Sequence, residues 1–228
     1  MDTETPVVVT GAMRHPSLLG ADGPANLLAS VQVAVSGAAR GIGTVVVLND
    51  EIHAVRFVQK THTSNPATFR SPLTGPTGWV SEGTLRIGTR PVGRRHIPLL
   101  EETQVRPVAL YTVSLGDDGR LLKAVEQLEY EGLVIEALGG GHVLSPMAQS
   151  LETLAGEIPV VLASHTGSGE VLANTYGFTG SETDLLSRGL INAGMLDGPK
   201  ARLLLSLLLR SGASKKEIAE AFAHPYGG

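Results

Sequence analysis

Three stretches of this sequence hold side chains at spacings from which chemistry is often built. Residues 36 to 43 read SGAARGIG. Gly37, three residues, then Gly41-Ile42-Gly43 is the spacing of a dinucleotide-binding turn, in which a helix N-terminus faces a pyrophosphate. That turn needs a strand before it and a helix after it. Here a helical pattern precedes and the strand-like GTVVVL follows. No Tyr is followed four residues later by Lys, so the stretch reads as a helix end turning into a strand. Asn49-Asp50-Glu51-Ile52-His53 clusters polar groups at a strand end, where ligand sites of α/β folds tend to lie. A solvated strand-end turn explains that cluster equally well. Lys60 lies in KTHT. A buried lysine can have its pKa lowered for proton transfer, but spacing alone reads Lys60 as an exposed loop cation.

Other chemistries lack their residues. There is no Cys, which excludes disulfides, thiolate metal sites and a cysteine nucleophile. Neither a nucleophile elbow of the GxSxG type nor a His-Glu-x-x-His metal helix occurs, and the 7 histidines are scattered. No metal and no cofactor is therefore expected. The net charge of −4 gives no broad basic surface for nucleic acid.

The elements that would position these residues follow from patterning. At 42% hydrophobic and 18% charged, the 228 residues have the balance of a globular protein. Only 4% are aromatic, so Val, Leu, Ile and Ala must build the core. Strands are expected at 6–10, 43–48, 108–115, 132–138 and 158–164. Helices are expected from Asp22 to about Val35, at 120–129, after Ser145-Pro146, after Asp197 and Pro199, and after Ser214, whose spacing to Glu217 is that of a capping box. Residues 66–80, rich in Pro and Gly, read as an excursion or hairpin. Residues 88–107 lack periodicity and read as a linker between a domain at 1–87 and one at 108–228. Strands alternating with helices predict an α/β fold, a three-layer sandwich on a mainly parallel sheet, with right-handed crossovers in the second half. The run Leu203–Leu209 is far too short to span a bilayer, and no basic-then-apolar leader opens the chain, so no membrane contact and a cytoplasmic location are expected.

Four blocks, VVVTGAMR, ADGPANLL, VVVLNDEIHA and KTHT, follow one another between Val7 and Thr63. In that order they resemble the middle of an L-asparaginase. The likeness continues through Gly139-Gly140-Gly141-His142-Val143 and Ser164-His165-Thr166-Gly167-Ser168-Gly169, with His165 where Arg is usual. TYGFTGSETDLL and GPKARLLLSLLL are similar to the C-terminal domain of actinobacterial-type members. The resemblance covers nearly the whole chain.

It implies an amidohydrolase that opens a side-chain amide through an acyl-enzyme on a threonine. It makes Lys60 the catalytic lysine beside a second threonine and an aspartate. It places Ala12 in the substrate-binding block GAMR. It makes Glu182 an acidic residue that reaches a neighbouring subunit's site and holds the substrate ammonium. It sets His142, where many members have Asn, in a turn lining that same intersubunit site. Asp22 and Asn26 would fix the turn and cap the helix beside the site, and Arg14 would be structural. The family's Thr-Gly-Gly-Thr-Ile and Gly-Thr-Asp-Thr blocks, which carry both threonines, occur nowhere in these residues. The N-terminal domain is thus expected to be incomplete and the C-terminal one complete. A separate N-terminal chain would supply the threonines to the large piece of a split enzyme acting on a small amino-acid-like substrate. A dimer or tetramer of the completed unit is implied. The rival expectations are a non-catalytic relative that binds an amino-acid-like ligand or a protein partner, and a relative repurposed for biosynthesis.

Overall fold

The structure is a computed structural model that describes residues 4–98 and 105–225. It divides into two compact units, residues 1–93 and 94–228. Residues 99–104 of the expected linker lie outside the described residues.

The first unit opens with β1 (Val7–Val9), α1 (Gly23–Val35) and β2 (Thr44–Leu48). β1 and β2 pair in parallel, so the helix between them is a crossover. The decoy SGAARGIG is the end of α1, a single 3-10 turn at 37–39 and the entry to β2, in the order helix then strand. From β2 on, the sheet becomes antiparallel. β3 (Glu51–Ala54) folds back on β2 through Asn49-Asp50, both in the left-handed region, which is a two-residue hairpin turn. After β4 (Gln59–Lys60) and β5 (Phe69–Arg70), which form their own small antiparallel ladder, β6 (Gly78–Ser81) joins β3. β7 (Thr84–Ile87) closes the sheet, in the order β1-β2-β3-β6-β7.

Alternation along β2 sorts the two faces of this sheet. Val45 and Val47, with Ile52 of β3, pack beneath Ala29 and Val33 of α1. Val46 and Leu48 face the other way, into a small cluster with Met13 from the loop after β1 and with Val58 and Phe69 from the β4–β5 excursion.

The second unit is a parallel sheet covered on both faces. β8 (Val108–Thr112), β9 (Gly132–Ala137), β10 (Val160–Ser164) and β11 (Ile191–Asn192) lie in the order β11-β10-β9-β8, every pair parallel. Leu133, Ile135 and Leu162 pack against α2 (Leu122–Gln127), α3 (Ala148–Glu157) and α4 (Glu182–Ser187). Val134, Val161 and Ala163 pack against α5 (Gly198–Arg210) and α6 (Lys215–Ala223). This is the expected three-layer sandwich. Asp197 caps α5 through Lys200 N, and Ser214 with Glu217 forms the expected capping box of α6. No helix among the described residues is long and apolar enough to cross a membrane.

Candidate functional site

Each unit holds part of the expected site. In the first unit, the loop that leaves β1 carries Ala12. Its shape is set by α1. Asp22 stands at the N-cap position, yet its side chain makes no capping bond. Its carboxylate instead accepts from the amides of Met13 (3.1 and 2.9 Å) and Arg14 (2.9 Å) and from Asn26 Nδ2 (3.0 Å). Burial raises the Asp22 pKa, but these donors outweigh it and hold the group below the usual carboxylate range. Asn26, buried in the first turn, donates to Gly11 O and accepts from the Asn49 amide, tying the β1 loop to the β2–β3 turn. Arg14 donates to Gly20 O and closes the loop. The expectation that Asp22 and Asn26 fix this turn matches the geometry. Ala12 itself is exposed on it.

A cleft lined by Met13, Arg14, His15, Ser17, Leu18, Leu19 and Ser64 joins this loop to the one that follows β4. Lys60 ends β4 and is exposed, paired across the ladder with Phe69. Paired residues project to the same side of a ladder, and Phe69 packs toward the sheet, so Lys60 lies on the sheet side of the hairpin. The KTHT turn beyond it is built on Thr68, which is wholly buried. Thr68 O accepts from the amide and hydroxyl of Thr61. Thr68 Oγ1 donates to His62 O and accepts from the His62 amide. His62 Nδ1 accepts from the amides of Ser64 and Asn65. The block thus has a rigid scaffold, but Lys60 is not enclosed among the described residues, as a tuned catalytic lysine would be.

In the second unit, Glu182 opens α4 and is fully buried. Its Oε1 accepts from the amides of Thr175 (2.9 Å) and Tyr176 (2.7 Å), and its Oε2 meets His142 Nε2 at 3.1 Å. Burial again pushes the carboxyl pKa up, and the amides of Tyr176 and Thr175, with His142, bring it below its ordinary value. Two glycines make room. A side chain on Gly141 (φ 118°) would crowd Val171 and the Glu182 Cβ, and one on Gly180 (φ 90°) would strike the Val143 carbonyl. Ser181 caps α4, as its position before the helix suggested.

Within this unit it is His142 that approaches the surface. Its side chain is 23% exposed, and its ring meets Tyr176 and Phe178 edge-on at 4.9 and 5.2 Å. Both aromatic rings are themselves half exposed. Glu182 therefore fixes the ring of His142. Sequence reasoning missed Tyr176 and Phe178; the Tyr-Gly-Phe spacing just before Glu182 was the available signal. His165 is exposed in the loop after β10. Among the described residues, no group of three His, Asp or Glu is placed to hold a metal ion.

Family models for the asparaginase N-terminal domain and the glutaminase/asparaginase C-terminal domain match residues 1–93 and 107–222. The chain is 36% identical over 227 residues to a probable L-asparaginase of Deinococcus radiodurans, covering 95% of this chain and 66% of the relative. It is 32% identical to an L-asparaginase of Bacillus licheniformis, covering 98% and 68%. It is 29% identical to L-asparaginase 2 of Escherichia coli, covering 96% and 63%. The chain thus spans about two thirds of the length of these relatives.

Proposed function

Because the chain belongs to the asparaginase family, we propose that it is the larger part of an amidohydrolase that splits the side-chain amide of asparagine or a related small amide, completed by polypeptide carrying the two threonine blocks. The observation that carries this reading is the juxtaposition in the first unit. The loop after Ala12, from Met13 to Leu19, and Ser64, which directly follows the KTHT block, border one cleft, and the two blocks are braced by Asp22, Asn26 and Thr68.

The chemistry assigns roles. A threonine hydroxyl attacks the amide carbon. Its proton passes through the second threonine to Lys60, whose ammonium or amine must exchange that proton with the leaving ammonia. Lys60 is exposed on its hairpin, and covering it with the missing segment would enclose it beside the threonines. Ala12 borders the substrate through its backbone. Glu182 and His142 recognise the amino-acid end, with His142 as the contact and Glu182 behind it, in a site completed by a second copy. The exposed rings of Tyr176 and Phe178 suit such a contact between copies.

Exposed apolar surface in the first unit supports a seat for the completing segment. β1 is an edge strand, with Val7 50% and Val9 46% exposed. α1 has no charged residue, and its outer face shows Leu27, Leu28, Val31 and Val35. An added strand beside β1 with a helix over α1 would cover both. The test is to purify the protein from its source under native conditions and read subunit masses. A separate threonine-bearing chain, or the same segment joined to this one, supports the reading. A preparation with neither, binding an amino acid without turnover, supports the non-catalytic alternative.

A further inference from the structure

A second polar row lies in the first unit, away from the cleft. His53 of β3 is buried at 1% exposure. Its Nδ1 lies 2.9 Å from Ser71 Oγ and its Nε2 3.2 Å from Glu51 Oε2. Ser, His and a carboxylate in line resemble a nucleophile relay. Ser71, however, is itself buried, so no substrate reaches its hydroxyl and the row is a fastening.

What it fastens is the β4–β5 excursion. His53 is paired with Val46 and so faces the same side of the sheet as Val46 and Leu48, the side that the excursion covers. Ser71 directly follows β5, and β5 pairs with the strand that ends in Lys60. Of residues 59–71, only Thr68 and Ser71 are buried. Its ladder has two residues a side, and the apolar cluster beneath it is the small one of Val46, Leu48, Val58, Met13 and Phe69. Segments with few buried contacts open locally at low cost. The bond between His53 and Ser71 is then a large share of what keeps the hairpin down.

We infer that His53 is a pH-sensitive latch that holds the Lys60-bearing hairpin on the sheet and releases it in mild acid. Around the ring, β2 presents only Val46 and Leu48, β3 presents Glu51, and β5 presents Arg70. Burial disfavours the imidazolium, Glu51 favours it, and Arg70 opposes it; the balance lowers the histidine below its ordinary value. In the opened hairpin the ring is solvated and titrates near its ordinary value of about 6.5. Above that pH neither state binds a proton and the latch is at full strength. Below it, the open state binds a proton that the closed state refuses, so opening gains up to about tenfold per pH unit. The consequence for catalysis rests on the reading of Lys60 as catalytic; the latch itself does not.

Hydrogen exchange of the full chain followed by mass spectrometry, corrected for intrinsic rates, tests this without any activity. Between pH 8 and pH 5, amides of residues 59–71 are expected to lose protection below about pH 6.5, by up to about tenfold per unit. Those of β9 and β10 stay constant. His53→Gln removes the pH response. Ser71→Ala lowers protection of 59–71 already at pH 8 and keeps the pH response, because His53 is still there to titrate; if His53→Gln does not fold, His53→Asn replaces it. Protection of 59–71 that is independent of pH in the unaltered chain, a pH response that survives replacement of His53, or protection of Ser71→Ala at pH 8 equal to that of the unaltered chain would overturn the latch.

Discussion

Every apolar side chain of β9 and β10, the two central strands of the second unit, ends beneath a helix of that unit, on one face or the other. The first unit is built from the same residue types and does not reach that state. One face of its sheet lies under α1 and the other meets only a small hairpin cluster, while the outside of α1 and the edge strand β1 remain bare. Half-exposed Val and Leu side chains stabilise by on the order of 1 kcal/mol each when covered. Six of them amount to several kcal/mol, comparable with a whole domain's stability of about 5–15 kcal/mol. A helix of thirteen residues without a charge on its outer face is made to lie under something. The contrast separates a unit whose apolar residues are taken up by its own core from one that leaves an apolar helix face exposed, the surface on which the proposed completing segment would sit.

Substitutions sharpen that contrast. Leu162→Ala, in the middle of β10 and fully buried, should cost about 2–5 kcal/mol in urea unfolding. A loss near zero would mean that the second unit is not packed as described. Glu182→Gln weakens a buried carboxylate that three donors share, and should cost about 1–3 kcal/mol. The pH dependence has a definite sign. The Glu182 pKa is depressed in the folded state, so its contribution is present above the ordinary value near 4.5 and is lost as pH falls through the lower folded value. The variant should lack that acid-side loss in a series of thermal melts. Ser214→Ala removes the side chain that caps α6 and should cost about 1 kcal/mol, with little change elsewhere.

The smallest effect is expected in the first unit. Leu28→Glu on the bare face of α1 should change the stability of the isolated chain by no more than about 0.5 kcal/mol. It should raise solubility and abolish binding of the completing segment, as read by co-purification. A large destabilisation of the chain alone would show that the face is already covered.

The sequence made the second unit legible because its signals are local. Alternating apolar runs sit between turn residues, and Asp197, Ser214 and Glu217 announce their helices by spacing alone. The first unit was harder for identifiable reasons. Asn49-Asp50 between VVVL and EIHA is a hairpin turn, and polar residues drew attention to a site where the backbone merely needed two left-handed residues. Glu82-Gly83 turns the β6–β7 hairpin in the same way, just beyond residues 66–80, whose Pro and Gly had suggested an excursion or hairpin. Of the candidate site, Ala12, Lys60 and Glu182 were visible through family resemblance and not through spacing. That Glu182 would turn its carboxylate inward to two amides and a histidine depends on Gly141, Gly180 and a loop path that no local pattern encodes. His53 and Ser71 are 18 positions apart, and only the fold brings them together.

The central claim is that this chain holds the lysine and the substrate-recognition residues of an asparaginase while the nucleophile comes from elsewhere. Ammonia release from asparagine, measured on the highly purified chain and again after co-expression with polypeptide carrying both threonine blocks, tests it most directly. The account predicts no turnover above background for the chain alone, since removing an activated nucleophile costs on the order of a millionfold. It predicts an ordinary enzymatic rate of about 1 per second or more once the segment is present, abolished again by Lys60→Ala. An ordinary rate from these 228 residues alone, or none from the completed protein, would contradict it.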